Sequence, residues 1–322
     1  MMKNYLSILI VFLSGSVTAQ SLEGVTRVSD TSYTTNSAYL STKKKYPEIR
    51  IAEEIKSNKI KETKNVAYCT VGDRTLLLDV FSPNTKKKTP AIIIIFGGGW
   101  RSGNRTQHYP LAQQLALLGY TCFTPDYRLS TEALFPAAVY DLKSALRWVK
   151  INGKKYNIDT SKIAVLGFSA GGELAAFLGA TANNKNFEGD CNPYHNTNVQ
   201  AVVDIDGTLS FVNAESGEGD DSKKKSSATL WFGYSKKENI ELWNTASPLT
   251  YVNAKTAPTL FLNSSLERMH AGREDYIKIL KSNNIYAEVH SFENSPHGFC
   301  LFHPWFEPTV KYIDSFLKKI LN

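Results

Sequence analysis

The 322-residue chain has no long apolar run after its first twenty residues. A helix that spans a bilayer needs about 20 consecutive apolar residues, so the sequence predicts no membrane span. Three lysine triplets have no interleaved aromatic residues, which argues against a nucleic-acid surface; the triplets are residues 43–45, 86–88 and 223–225. We expect a water-soluble protein whose triplets lie in solvated loops, with attraction to an acidic polymer as the alternative.

Cysteine is scarce, and the spacing of its four residues fits no zinc site; they are Cys69, Cys122, Cys191 and Cys300. A chain of this size does not depend on a disulfide framework. Cys122 lies in an apolar strand pattern and is predicted to be buried. The pairing stays open, although a bridge such as one between Cys191 and Cys300 would suit an exported chain. Nothing in the sequence implies a metal or cofactor.

The first 19 residues have the pattern of a secretory signal peptide. Lys3 precedes a short apolar run, residues 5–13, and small residues follow up to Ala19. The run is too short for a membrane anchor. The sequence therefore predicts cleavage after Ala19 and a secreted or periplasmic protein.

The remaining chain has ordinary globular composition, with 42% hydrophobic and 21% charged residues. Residues 20–64 lack a sustained apolar period and predict a surface extension with one helix near Glu53. From residue 65, strand patterns alternate with helix patterns, which predicts an α/β domain with a mostly parallel sheet covered on both faces. The polar segment 207–257 is too long for a turn and predicts a small cap whose Trp231 and Phe232 face a cleft. Oligomeric state stays open.

A glycine-flanked serine, in the run Gly167-Phe-Ser-Ala-Gly171, lies between a predicted strand and a small-residue helix. A nucleophile on a tight strand-to-helix turn leaves no room for side chains two residues before and after it. Ser169 is therefore the candidate nucleophile, and the Ala170 amide at the helix start can donate to an oxyanion. Gly98 and Gly99, which directly follow the buried strand at residues 91–96, offer further amide donors.

The serine needs a base, and a base needs an acid to orient it. His297 follows the last predicted strand and is the candidate base, with His303 as an alternative. Glu267 follows the strand at 258–262 and is the candidate acid, because the order serine, acid, histidine is that of the α/β-hydrolases. Three other carboxylates stay open for this role: Asp206, Glu274 and Asp275.

Several motifs together resemble the esterase and lipase branch of the α/β-hydrolases: Gly-Gly-Gly-Trp at 97–100, Pro-Asp-Tyr-Arg at 125–128, the helix pattern at 135–148, Gly-Phe-Ser-Ala-Gly-Gly at 167–172 and Pro-His-Gly-Phe at 296–299. Within that branch the chain is most similar to secreted acetylxylan, feruloyl and pectin esterases. The resemblance implies cofactor-independent serine hydrolysis of a polysaccharide or oligosaccharide ester from plant or algal cell walls. A short-chain lipolytic esterase and a serine peptidase are the alternatives.

Two positions depart from the pattern of that branch. Phe96 stands where histidine commonly precedes the three glycines, and Glu267 stands where the acid is usually aspartate. Backbone donors do not depend on the first of these side chains. The second departure is the reason why Asp206, Glu274 and Asp275 stay open as alternatives for the acid.

Overall fold

The computed structural model describes residues 19–189, 191 and 195–321. The predicted signal peptide lies outside the described residues apart from Ala19. The strands are β1 (Arg50–Ile51), β2 (Ile60–Val71), β3 (Arg74–Pro83), β4 (Thr89–Ile95), β5 (Thr121–Pro125), β6 (Ile158–Phe168), β7 (Ala201–Ile205), β8 (Thr259–Asn263), β9 (Ala287–Ser291) and β10 (Phe302–His303). The α-helices are α1 (Thr35–Thr42), α2 (Tyr109–Leu117), α3 (Ala137–Ile151), α4 (Ala170–Ala180), α5 (Ser227–Phe232), α6 (Ile240–Thr245), α7 (Arg273–Ser282) and α8 (Phe306–Leu321).

Eight strands form one sheet in the order β2-β3-β5-β4-β6-β7-β8-β9. The pairs from β5 through β4 to β9 are parallel, while β2, β3 and β5 pair antiparallel at one edge. This arrangement confirms the predicted α/β-hydrolase fold class, a mostly parallel sheet with helices on both faces. The carboxyl ends of β6, β7 and β8 consequently lie side by side.

The apolar run in β4 shows why the sheet is covered on both sides. Ile93 and Ile95 pack into one core cluster with residues of α3 and α4, whereas Ile92 and Ile94 pack into a second cluster with residues of α2 and α8. All four side chains are at most 1% exposed. A strand without alternation is therefore buried on both faces, as its sequence predicts.

The segment predicted as a surface extension is partly integrated into the domain. Its helix is α1 rather than a helix at Glu53, and β1 pairs with β10 near the C-terminus. Strand β2 already begins at Ile60, and Ile49, Ala52 and Ile60 are buried in the core cluster that contains α8. The boundary predicted at residue 65 therefore falls inside β2. The buried residues before it were missed because they are isolated in the sequence and show no apolar period, although a helix distant in sequence covers them.

The inserted segment 207–257 folds onto the domain through its aromatic residues. Trp231 and Phe232, at the end of α5, are completely buried. Trp231 stacks on Trp100 with ring centroids 4.8 Å apart. The prediction that these two side chains face a cleft is wrong, since they anchor the insertion in the core instead.

A disulfide joins Cys69 of β2 to Cys191, with Cα atoms 5.9 Å apart. The bridge considered between Cys191 and Cys300 does not form, because Cys300 is buried in a 3₁₀ helix behind the sheet. Cys122 in β5 is buried, as predicted, and is not part of a disulfide. In the part of the chain that the structure describes, no helix is long and apolar enough to cross a membrane.

We predict that this disulfide stabilises the fold, because it closes a long loop with a sequence separation of 122 residues. The double variant Cys69→Ser/Cys191→Ser should lose about 2 to 4 kcal/mol of unfolding free energy in urea titrations. Wild-type protein in dithiothreitol should lose a similar amount, and the double variant should not respond to the reductant. Wild-type stability that is insensitive to the reductant would contradict the assignment.

Candidate active site

Ser169 occupies a strained turn between β6, which ends at Phe168, and α4, which begins at Ala170. Its backbone has φ 57° and ψ −122°, a conformation that side-chain-bearing residues rarely adopt. A Cβ on Gly167 would lie 1.9 Å from the Gly171 carbonyl oxygen, and a Cβ on Gly171 would lie 2.2 Å from the Ile95 carbonyl oxygen. Both glycines are therefore sterically required, and the turn presents the serine hydroxyl above the sheet.

His297, in the loop after β9, lies within hydrogen-bonding distance of the serine. Its Nε2 is 2.8 Å from the Ser169 Oγ. Its Nδ1 is 2.9 Å from Oδ2 of Asp206. The structure thus connects a hydroxyl, an imidazole and a carboxylate in one hydrogen-bonded series, with the predicted serine and histidine at its start.

Asp206 directly follows β7, and its carboxylate is fully buried. Its Oδ1 accepts a hydrogen bond of 2.7 Å from the Ser264 amide, and its own amide donates to the Leu262 carbonyl at 2.9 Å. Both partners lie at the end of the neighbouring strand β8. The carboxylate is therefore held in place by the sheet edge that also positions His297.

The prediction of Glu267 as the partner of His297 is wrong. Glu267 begins a 3₁₀ helix beyond β8 and its side chain is exposed. Glu274 and Asp275, in the first turn of α7, are exposed too, and Glu274 pairs with Arg273. Asp206 holds the position because β7 is the direct neighbour of β6, so its carboxyl end lies beside Ser169. An aspartate placed immediately after an apolar strand was the sequence signal for this.

His303, the alternative base, lies elsewhere. Its Nδ1 pairs with Glu307 at 2.7 Å, and its ring contacts Phe306 edge-on. Both partners belong to α8, so His303 helps to pack the last helix. The structure leaves His297 as the imidazole beside the serine.

Three backbone amides near the serine have no hydrogen-bond acceptor among the described residues: those of Gly98, Gly99 and Ala170. Gly99 and Ala170 line the pocket over Ser169, whereas Gly98 lines an adjoining cleft. Gly98 and Gly99 have φ values of 138° and 59°, which glycine adopts without strain. Unpaired N–H groups beside a nucleophile can stabilise a developing oxyanion.

The loop that carries these glycines is fixed by packing and hydrogen bonds, although Phe96 stands where the esterase pattern has histidine. Phe96 stacks on Tyr127 with ring centroids 4.3 Å apart, and the Tyr127 hydroxyl donates to the Phe96 carbonyl at 3.0 Å. The Gln107 side chain accepts a hydrogen bond of 2.8 Å from the Gly97 amide. Phe96 therefore holds the loop rigid through packing.

Two buried carboxyl groups lie behind the nucleophile turn. Glu173, in the first turn of α4, accepts a hydrogen bond of 2.9 Å from the Trp100 indole, and Asp204 of β7 accepts one of 2.7 Å from the Gly207 amide. Burial raises the pKa of both carboxyl groups well above the ordinary values. The Glu173–Trp100 contact ties the serine helix to the glycine loop.

The pocket over Ser169 is small, about 170 Å³. Besides the serine, histidine and amides, it is lined by Trp100, Thr208, Glu218, Ser227, Arg268 and Met269. Burial raises the pKa of Glu218, whose carboxylate lies 3.5 Å from Arg268. A larger cavity of about 620 Å³ lies between the N-terminal segment and α8, away from the serine. Within the described residues, no group of three or more His, Cys, Asp or Glu side chains could hold a metal ion.

Comparison with known proteins finds similarity to esterases. The BD-FAE family model matches residues 78–271, well over half of the chain. A Mycobacterium tuberculosis protein named "probable carboxylic ester hydrolase LipM" is 31% identical over 219 residues. The match covers 63% of this chain and 49% of LipM. The chain spans about half or less of the length of the first curated relatives that it matches.

Solved structures resemble the chain over more of its length. A truncated carbohydrate esterase from gut microbiota superimposes with a TM-score of 0.69 at 23% identity, covering 83% of this chain and 100% of that one. The acetyl ester-xyloside bifunctional hydrolase of Caldicellulosiruptor lactoaceticus gives a TM-score of 0.63 at 25% identity, covering 77% and 89%. The fold is therefore that of known esterases.

We predict that Glu173 makes stability depend on pH. The unfolded chain releases the Glu173 proton near the ordinary pKa of 4.5, while the folded chain retains it, so the wild type loses stability as pH rises above that value. The variant Glu173→Gln keeps an acceptor for Trp100. Its unfolding free energy relative to wild type should rise with pH, by up to about 1.4 kcal/mol per pH unit.

Urea titrations between pH 5 and pH 8 measure this difference. Glu241→Gln, at an exposed position in the first turn of α6, is the matched control and should show no such slope. A difference between Glu173→Gln and wild type that is flat or falls with pH would contradict the prediction.

Proposed function

The chain belongs to the BD-FAE family of α/β-hydrolase esterases, and from this premise we propose that it is a carboxylic-ester hydrolase with Ser169 as its nucleophile. The observation that carries the proposal is the hydrogen-bonded series from Ser169 through His297 to Asp206. It lies beside amides that have no acceptor within the described part of the chain. This combination supplies each group that acyl transfer through a serine requires.

In the proposed mechanism, the Ser169 Oγ attacks the ester carbonyl carbon while His297 Nε2 takes the hydroxyl proton. The carbonyl electron pair moves to the oxygen, which accepts hydrogen bonds from the amides of Gly99 and Ala170, with the Gly98 amide adjoining. The oxyanion collapses, the bond to the alcohol oxygen breaks, and the alcohol leaves with the proton from Nε2. Water then attacks the acyl-serine by the same route, and the acid and free serine result.

Asp206 acts on the histidine rather than on the substrate. Its carboxylate accepts a hydrogen bond from the Nδ1–H group, which keeps the proton on Nδ1 and leaves Nε2 free to receive a proton from Ser169. Its negative charge stabilises the imidazolium that forms during attack. The buried hydrogen bonds to the end of β8 keep it in this orientation.

We propose acetyl or another small acyl group on a plant or algal cell-wall polysaccharide as the substrate. A pocket of about 170 Å³ favours a short acyl chain. The polar wall of Thr208, Glu218 and Arg268 suits a hydroxyl-rich alcohol portion. The name of the Caldicellulosiruptor relative, an acetyl ester-xyloside hydrolase, supports the same class. General short-chain esterase activity is the second candidate, favoured by the apolar Trp100 and Met269 in the pocket wall.

Export is a further part of the proposal. The signal-peptide pattern at residues 1–19 predicts it. The disulfide between Cys69 and Cys191 supports it, since such bonds persist in oxidising compartments. A polysaccharide substrate would be encountered there.

We predict that Ser169→Ala abolishes hydrolysis of nitrophenyl acetate. Asp206→Asn should lower kcat/KM by about 10³- to 10⁴-fold, because an amide cannot orient and stabilise the imidazolium as a carboxylate does. Glu267→Gln is the matched control and should retain wild-type kcat/KM. A large loss in Glu267→Gln together with an active Asp206→Asn would contradict the assigned triad.

We also predict a preference for short acyl chains and saccharide alcohols. Wild-type enzyme should release acetate from acetylated xylan or acetylated pectin, and its kcat/KM on nitrophenyl esters should fall steeply from acetate to laurate. Feruloylated arabinoxylan and methylated pectin, assayed for ferulate and methanol, test other acyl and alcohol groups. Cleavage restricted to long-chain esters would refute the polysaccharide proposal and favour a lipolytic enzyme.

A further inference from the structure

A cleft of about 490 Å³ adjoins the pocket over Ser169. Gly98 lines this cleft, Gly99 lines the pocket, and Ser227 lines both. A Cβ on Gly99 would lie 2.9 Å from the Ser227 hydroxyl, so that α5 directly abuts the glycine loop. We call this cleft the basic cleft. A ligand bound in it could extend past Ser227 into the pocket over Ser169.

Four cationic side chains line the basic cleft, and two of them are already paired. Arg101 forms an ion pair of 3.0 Å with Asp30, which also lines the cleft. Lys225 pairs with Glu23. These contacts tie the cleft wall to the N-terminal segment.

The other two cations, Lys223 and Lys224, are exposed and form no ion pair with any residue that the structure describes. Asp220 is the second carboxylate in the wall, and it accepts hydrogen bonds from Ser222 instead of pairing with a lysine. With Glu23 counted as the partner of Lys225, four cations face three carboxylates, so the wall keeps a net positive charge. An anionic ligand would find two uncompensated ammonium groups.

Hydroxyl groups make up much of the remaining wall, from Ser32, Ser102, Ser222, Ser226 and Ser227. None of the described residues that line the cleft is aromatic, so it offers no platform on which nucleic-acid bases could stack. Among the described lining residues, Leu230 is the one large apolar side chain, and a single such residue offers too little apolar surface for a lipid chain. Hydroxyls with cations match a sugar chain that carries acidic groups.

We propose that the basic cleft binds an acidic sugar of the substrate, one that carries a carboxylate or a sulfate, and thereby places a neighbouring esterified sugar over Ser169. This inference rests on the proposed function and narrows it to esters of acidic polysaccharides. The cleft volume lies in the range of ordinary ligand sites and accommodates a short oligosaccharide. Because the lysines are exposed, the attraction weakens with salt.

Binding to polygalacturonate, measured by affinity electrophoresis, tests the cleft directly. The variant Lys223→Gln/Lys224→Gln should bind about 3- to 10-fold more weakly than wild type, as expected for the loss of two exposed charge contacts. The matched control Lys86→Gln/Lys88→Gln removes the same charge from another exposed triplet and should bind as wild type does. Lys223→Arg/Lys224→Arg keeps both charges and should retain binding.

Kinetics provides a second measurement. On partially acetylated polygalacturonate, KM should rise about 3- to 10-fold in Lys223→Gln/Lys224→Gln. On acetylated xylan without uronic-acid side groups, a neutral polymer, it should match wild type. High salt should raise the wild-type KM on the acidic polymer toward that of the variant. Carboxymethyl dextran and dextran sulfate as competitors show whether a carboxylate or a sulfate is preferred, and preference for either supports the proposal.

Three results would overturn the inference: no polymer binding by wild type, equal loss of binding in both glutamine variants, or equally tight binding of single-stranded DNA. The proposed function fails on a different result, namely wild type that cleaves no ester, or Ser169→Ala that still does. Polymer binding without ester cleavage would leave the cleft assignment intact. Ester cleavage without lysine-dependent binding would leave the hydrolase assignment intact.

Discussion

The geometry of the active site depends on the close approach of three backbone segments: the end of β4 with the glycine loop that follows it, the end of β6, and the start of α4. Gly171 lies against the Ile95 carbonyl, and Gly97 lies so close to Phe168 that a Cβ there would be 2.5 Å from its carbonyl oxygen. This close approach, together with the hydrogen bond of 2.8 Å from the Ser169 amide to the Ile205 carbonyl, holds Ser169 in its strained conformation beside the unpaired amides of the glycine loop. The hydrophobic burial of β4 on both faces supplies the rigidity that maintains the strain.

Features set by local sequence could be predicted, and features set by long-range packing could not. The nucleophile turn and the helix α3 follow from glycine positions and apolar periods within a few residues. The partner of His297 depends instead on sheet order: strand ends at 205 and 263 both precede acidic residues, and only adjacency of β7 to β6 favours Asp206 over Glu267. The pairing of Cys191 with Cys69 could not be predicted for the same reason, since Cys69 in β2 lies 122 residues away in sequence.

The inserted segment illustrates a second limit of sequence reasoning. Its composition is polar, yet Trp231 and Trp243 are completely buried and hold it to the domain. Trp231 stacks on Trp100, whose indole bonds to Glu173 in the serine helix. The insertion is thus packed against the side chain that links the glycine loop to α4, which explains how a polar segment keeps a fixed position over the reacting centre.

This packing separates the groups proposed to perform chemistry from those proposed to contact the rest of a substrate. Ser169, Asp206 and His297 follow strands of the sheet, whereas Glu218, Lys223 and Ser227 belong to the insertion. The insertion can therefore change its surface charge without moving the hydrogen-bonded series, as long as its buried aromatics stay in place. Fold alone does not determine substrate, and in this chain the difference would reside in the exposed residues between Gly207 and α5.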